Sequence, residues 1–369
     1  MTISVTYSIL CKWITLSMIV SALIAFVVSA ALTPFVIFLC RRNNWFDTVD
    51  PRKVHLGQVP RLGGLGIMVA FAVAAGIYVC VFSDADFRAV WPALVGGLII
   101  FIAGIVDDFA DLRARLKFLL QIVAACLVAA SPLVFKRFLW FDIPLWCARP
   151  LTFVWILFLV NAYNLIDGLD LLCGGLSFVT ILSLGILMLR SGQELGALYI
   201  ILCGAIAGFL LFNRPPARIF IGDGGSQAMG FVIAVAPLFR TKCAAFEDMK
   251  FPLMLLLVSI PVTDVVAAVW RRQRDHRSFF SADRAHIHHK LVNIGFSKTG
   301  TSLCLLSLQC IISALVVCTT LMNGRRGSLI LLCTGLCFVW FIFIVLHYVN
   351  RAVNMKHKGR LADAPQAEH

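Results

Sequence analysis

Long apolar runs separated by short polar segments constrain this chain more than any other feature. The first, from about Ile14 to Leu39, carries no charged residue. An α-helix needs about 20 mostly apolar residues to cross a bilayer, so this run is long enough. It is too long for the apolar core of a cleaved signal peptide and reads as a retained first span. Comparable runs lie at about 63–82, 91–106, 117–135, 151–163, 171–189, 195–212, 226–239, 251–270, 302–322 and 328–349. The sum is about eleven spans, with ten as the alternative because the fifth and eighth are short. Inside hydrocarbon every backbone polar group must be satisfied internally, and runs of this length do that as helices. The expectation is an all-α, polytopic integral membrane protein. Residues 1–350 would form one transmembrane catalytic domain with long cytoplasmic loops at 40–62 and 271–301. Residues 351–369 would be a polar cytoplasmic tail without structure.

Composition excludes a water-soluble globule. Of the 369 residues 60% are hydrophobic and 14% charged, whereas soluble domains sit near half apolar and a quarter charged. The net charge of +13 suits basic cytoplasmic loops better than a nucleic-acid surface, which needs a basic soluble module. The 13 cysteines are scattered, mostly within apolar runs, and no C-x-x-C pair occurs. They read as small buried hydrophobes rather than a metal or disulfide framework.

Sorting the loops alternately gives the chain a direction. Lys and Arg favour the side holding 40–62, 107–116, 164–170, 213–225, 271–301 and the tail by about two to one, and the positive-inside rule makes that side cytoplasmic. Asp107, Asp108, Asp111, Asp167, Asp170, Asp223, Asp283, His286, His288 and His289 all fall on it. Carboxylates beside hydrocarbon are expensive and are functional candidates by default.

Four loops carry the chemistry. In Val106-Asp107-Asp108-Phe109-Ala110-Asp111, adjacent carboxylates repel and want a divalent cation, a proton or cationic neighbours. Arg113, Arg115 and Lys117 follow, so a charge-balanced loop is the competing reading. In Asn161-Ala162-Tyr163-Asn164-Leu165-Ile166-Asp167-Gly168-Leu169-Asp170, Asn161, Asn164 and Asp167 recur at near-helical spacing. Buried amides and carboxylates need partners, and a polar helix–helix contact would also supply them. In Phe220-Ile221-Gly222-Asp223-Gly224-Gly225-Ser226, glycines and a following helix N-terminus suit a phosphate, while Asp223 suggests a metal bridge. In the 271–301 loop, arginines precede His286-Ile287-His288-His289. That spacing is not the zinc-peptidase H-E-x-x-H, and the arginines favour an anionic ligand. The basic segment Pro51–His55 and Pro60–Gly64 is compatible with a lipid-facing loop. Together these loops offer carboxylates for Mg²⁺, which takes one or two and leaves its other positions to water and phosphates, and cations for the phosphates themselves.

P-R-K-V-H…P-R-L-G-G, V-D-D-F-x-D, N-x-x-N-x-x-D-G-L-D, F-I-G-D-G-G-S and D-R-A-H-I-H-H occur in this order between about Asp47 and Ser297. The set resembles the polyprenyl-phosphate N-acetylhexosamine-1-phosphate transferases, most closely the WecA-type branch that uses UDP-N-acetylglucosamine. The H-x-H-H form separates it from the phospho-MurNAc-pentapeptide translocases, which show a continuous histidine triplet. The resemblance implies Asp107 and Asp108 as the catalytic pair with His288. It implies Asp223, with Asp108, as ligands of Mg²⁺, with Mn²⁺ as the alternative. Asn164, Asp167 and Asp170 would shape the nucleotide-sugar site, with Phe220 and Gly222 near the uridine. His286 and His289 would contact phosphate or sugar, and Asn161, Arg61 and Arg284 are secondary candidates. The family reads D-G-L-D-G-L where this chain has Leu171 after Asp170. Leucine does not copy a glycine backbone, which puts the local turn and the donor fit in question.

The implied activity is Mg²⁺-dependent transfer of N-acetylglucosamine-1-phosphate from UDP-GlcNAc to undecaprenyl phosphate at the cytoplasmic face of a bacterial inner membrane. It would release UMP and initiate a lipid-linked cell-envelope glycan. The partners are the UDP-sugar, the polyprenyl phosphate and membrane lipid, with no nucleic acid; a homodimer is compatible. One alternative is another UDP-sugar, including UDP-MurNAc-pentapeptide. A secondary transporter would show an inverted repeat and midplane charges, and neither is visible. A CDP-alcohol phosphotransferase would need D-G-x-x-A-R, which is missing.

Overall fold

The computed structural model describes residues 2–46, 59–82, 90–241, 244–276, 286–320 and 325–362. Thirteen α-helices and one small hairpin are present among them. They are α1 (Thr2–Asn43), α2 (Gly63–Phe82), α3 (Trp91–Ala110), α4 (Ala114–Ala130), α5 (Leu145–Leu165), α6 (Leu172–Arg190) and α7 (Gly196–Asn213). There follow α8 (Gly222–Val235), α9 (Ala244–Leu257), α10 (Ser259–Arg274), α11 (Ile287–Ile294), α12 (Lys298–Thr319) and α13 (Arg325–Ala362). The hairpin pairs β1 (Arg137–Phe138) with β2 (Phe141–Asp142), and Arg137 ties it to α9 through Asp248 at 2.6 Å.

Every expected span falls on a helix, though the helices differ in length. Among the described residues eight helices are individually long and apolar enough to cross a membrane, and the bent pair α9–α10 makes a ninth. The expected eleven, or ten, also includes two shorter helices. α4 has 17 residues and α8 has 14; at 1.5 Å per residue α8 is about 21 Å long, against a hydrocarbon core of about 30 Å. Nearly all of α8 is buried, so protein rather than lipid surrounds it.

Sequence explains the break between α9 and α10, which meet at 64°. Pro261 has no N–H and its ring clashes with the carbonyl four residues back, that of Leu257. The freed carbonyl accepts a hydrogen bond from Gln309 Nε2 of α12 at 2.9 Å. The expected tail is also corrected in part. α13 continues to Ala362, because a run with neither Gly nor Pro between Arg351 and Lys358 gives the helix no reason to stop. The expected 271–301 loop contains α11.

Lipid gives no hydrophobic drive between helices, so close backbone approach matters. α8 is enclosed by α2, α3 and α5, and glycines make the fit. A Cβ at Gly64 would collide with the Gly225 backbone, one at Gly104 with Gly224, and one at Gly230 with the Leu159 carbonyl of α5. The large apolar side chains of α1 and α3, such as Leu23, Val27, Leu94 and Leu98, face outward.

Candidate active site

Three helix ends converge on α8. Asp107 and Asp108 occupy the last turn of α3, Lys117 the first turn of α4, and Asp223 the first turn of α8. Lys117 Nζ donates to Asp107 Oδ2 at 2.8 Å and also to Asp223 Oδ2. One ammonium thus holds two carboxylates together. Asp107 Oδ1 additionally accepts the Leu112 N–H at 2.7 Å, which fixes the chain as it leaves α3. Burial, with the neighbouring Asp107, pushes the Asp223 carboxyl up to about 6 against the opposing pull of Lys117.

Asp108 does something else. Its Oδ1 accepts the Asp223 N–H at 2.7 Å and its Oδ2 accepts the Gly224 N–H at 3.0 Å. A helix N-terminus attracts an anion, and here α3 supplies it. At the expected phosphate cradle the Asp223 and Gly224 N–H groups are thus held by a carboxylate. Gly222 has φ +73°, and a Cβ there would strike the Arg61 carbonyl and the Asp108 carboxylate. The segment before α2 seals the turn: Phe220 N–H donates to the Pro60 carbonyl at 2.8 Å, and Gly63 N–H donates to the Phe220 carbonyl at 2.9 Å. The Arg61 guanidinium bears electrostatically on Asp108.

Beneath the carboxylates runs a line of amides. Asn161 Nδ2 donates to Gln121 Oε1 at 2.8 Å, and Gln121 Nε2 donates to Gln227 Oε1 at 2.9 Å. Each such interhelical bond is worth about 0.6–2 kcal/mol, and together they lock α4, α5 and α8 in rotation. Asn164 Oδ1 accepts from Ser226 Oγ at 2.9 Å. Asn161 is thus a scaffold residue, while Asn164 stands at the rim beside Asp223's helix.

The turn after α5 forms the opposite bank. The Asp167 N–H donates to the Asn164 carbonyl at 3.4 Å. Asp170 Oδ2 accepts the Ala217 N–H at 2.9 Å, and its carbonyl accepts from Ser302 Oγ at 2.8 Å. A cavity of about 370 Å³ opens beside it, lined by Asp170, Pro215, Pro216, Lys298 and Thr299. Leu171 stands at the position where the altered turn was expected. It takes φ +68°, a glycine-like conformation, and its N–H donates to Asn213 Oδ1 at 3.0 Å.

α11 brings the histidines to this bank. The His288 imidazole fills the space a Cβ would need at Gly168. It is buried, its ring lies 4.3 Å from that of His289, and its Nδ1 has no hydrogen-bond partner among the described residues. Burial pushes the His288 imidazole down to about 3, aided by His289, so it is neutral at pH 7. His286 is buried against α10 instead, with Nδ1 at 2.9 Å from Asp264 Oδ2. Arg284, Asp283 and the Pro51–His55 segment lie outside the described residues.

Two residues were missed in the sequence. Asp264 sits inside an apolar run, and an acidic group there is itself a signal. Lys117 was visible only as charge balance, because nothing local shows that it reaches Asp223, 106 positions away.

Among the described residues no three His, Cys, Asp or Glu side chains cluster as a closed metal site. The carboxylates that share a cation are Asp107 and Asp223, whereas Asp108, expected as Asp223's co-ligand, is committed to the α8 N-terminus.

Residues 90–240, which contain this carboxylate centre, match the family described as Glycosyl transferase family 4. The chain is 32% identical to a probable undecaprenyl-phosphate N-acetylglucosaminyl 1-phosphate transferase of Bacillus subtilis, covering 91% of this chain and 94% of that one. It is 32% identical to a decaprenyl-phosphate N-acetylglucosaminephosphotransferase of Mycobacterium tuberculosis, over 67% and 68% of the two chains. The undecaprenyl-phosphate alpha-N-acetylglucosaminyl 1-phosphate transferase of Escherichia coli K12 is 27% identical over 70% and 72%. Fold, site and relatives together define a multi-pass membrane enzyme, a glycosyl-1-phosphate transferase. The chain belongs to the family of polyprenyl-phosphate N-acetylhexosamine-1-phosphate transferases.

Proposed function

We propose that this enzyme transfers N-acetylglucosamine-1-phosphate from UDP-GlcNAc to undecaprenyl phosphate, with Mg²⁺, at the cytoplasmic face of a bacterial inner membrane. A lipid-phosphate oxygen forms a bond to the β-phosphorus of the donor, the bond to the bridging oxygen breaks, and UMP leaves. The observation that carries the reading is the meeting of Asp107, Lys117 and Asp223 at one point. A phosphate monoester has a second pKa of about 6, so the acceptor is already ionised near pH 7. The enzyme's task is to bring two anions together and neutralise charge, with proton removal secondary.

Asp223 and Asp107 would hold Mg²⁺, which would supply charge neutralisation at the diphosphate. Lys117, released from one of the two carboxylates, would serve as a cation for phosphate. Asp108 keeps the first turn of α8 rigid, so that Asp223 does not relax on ligand binding. The neutral His288, packed against Gly168 and beside His289, would offer its imidazole to the sugar or phosphate. The UDP-GlcNAc assignment leans on the H-x-H-H spacing and on the printed activities of the relatives.

The test is UMP release by purified protein in detergent, with a panel of UDP-sugars and polyprenyl phosphates, with and without Mg²⁺. UDP-GlcNAc with undecaprenyl phosphate and Mg²⁺ is expected to give the highest kcat/KM. A higher value with UDP-MurNAc-pentapeptide would transfer the assignment to that donor, and absence of UMP from every pair would end the transferase reading.

A further inference from the structure

The three histidines of the H-x-H-H motif are not equivalent in space. Their rings form one cluster, His286 stacked on His288 at 5.8 Å and His288 4.3 Å from His289, but His288 packs against Gly168 whereas His286, 6% exposed, turns its Nδ1 to α10. Its partner is Asp264 of α10, itself 3% exposed. Asp264 uses both oxygens on this one short helix: Oδ2 faces His286 Nδ1 at 2.9 Å and Oδ1 accepts the Ile287 N–H at 2.8 Å. A buried carboxylate with two donors in place is a strong fastening. It also lies within the bent α9–α10 pair, anchored by the Leu257–Gln309 contact. The other end of α11 is held from α13, where Asn350 and Asn354 accept from Asn293 Nδ2 at 2.7 and 2.8 Å.

We propose that Asp264 and His286 are positioning residues: a buried carboxylate–imidazole tether that fixes α11 to α10 and thereby presents His288 and His289 to the substrate phosphates, with His286 not a ligand contact. This rests on the transferase reading of the site and assigns the motif a division of labour within it.

Two replacements of His286 separate tether from ligand contact. Asparagine places an amide N–H where Nδ1 stands and keeps the bond to Asp264; glutamine places it where Nε2 stands and loses that bond. The expected loss for H286Q is about tenfold to a hundredfold in kcat/KM, the value of a hydrogen bond to a buried charge, and H286N retains at least tenfold more than H286Q. D264N falls with H286Q, and the D264N/H286Q double variant is no worse than about twofold below the lower single, as for two ends of one contact. The loss appears mainly in kcat, since donor-binding groups on other helices are untouched.

Equal or reversed ranking of H286N and H286Q overturns the proposal, as does a double variant whose losses multiply. If D264N does not fold, the His286 pair still decides, because Asp264 is intact in both. Melting temperatures in detergent give a readout independent of turnover, with H286N expected above H286Q. Wild-type protein that releases no UMP from any UDP-sugar would sink the transferase reading, while the melting order still judges the tether.

Discussion

Asp108 accepts the backbone N–H of Asp223 at 2.7 Å across 115 positions of sequence. The carboxylates of this centre are therefore not a loose acidic patch: one of them is the cap of the helix that carries another. Asn at position 108 keeps one acceptor but turns an amide donor toward the Gly224 N–H.

D108N is expected to lower stability by about 1–2 kcal/mol, as for loss of a helix cap, and to reduce turnover at least about a hundredfold, as for loss of a preorganised electrostatic group. Unfolding in detergent and UMP release measure the two. Wild-type turnover in D108N would contradict the role given to this cap.

Lys117 neutralises Asp107 and Asp223 when no divalent ion does so. K117M leaves two carboxylates facing each other, so its melting temperature in EDTA should fall well below that of wild type. Mg²⁺ should then raise the melting temperature of K117M more than that of wild type. Because burial lifts the Asp223 carboxyl to about 6, protons compete with the ion, and this Mg²⁺ effect should weaken as pH falls below about 6. An equal Mg²⁺ response in both proteins would remove Asp107 and Asp223 as ligands.

Gly222 has no room for a side chain. G222A should lose activity at least about a hundredfold, because a Cβ displaces either the Arg61 backbone or Asp108 and with it the preorganised site. Gly76 in α2 has nothing within 4 Å of a Cβ, so G76A is the matched control with unchanged kcat/KM.

Leu171 holds φ +68° where a β-carbon is unwelcome. L171G should stabilise the protein by about 1 kcal/mol, the usual cost of a left-handed non-glycine residue. Thermal unfolding checks this; a lower melting temperature would mean that the leucine side chain's packing outweighs the strain.

His288 ordinarily would titrate near 6.5, but burial holds it down to about 3. Between these values the unfolded chain binds more protons than the folded one, so stability is lost as pH drops through that window. H288Q removes the titration, and its melting temperature should fall less than that of wild type between pH 7 and pH 5.

The sequence displays the helices because hydrocarbon demands them, and it displays Asp107, Asp223 and His288 because charge beside apolar runs stands out. It does not display the pairings. Lys117 and Asp223, or Asp264 and His286, meet only after distant helices pack, and no local pattern encodes that. The surroundings of α8 were hidden for a related reason: its apolarity reports burial, and burial in protein looks the same as burial in lipid. Leu171 went the other way, since a substitution that suggested a different turn was absorbed by backbone strain.

The glycines at 64, 104, 224, 225 and 230, which bring bare backbones together around α8, leave that wall with nothing to trim or enlarge. On the transferase reading proposed above, variants that change sugar preference are expected on the other bank, where Asn164, Asp167, Asp170 and the α11 histidines have side chains to exchange.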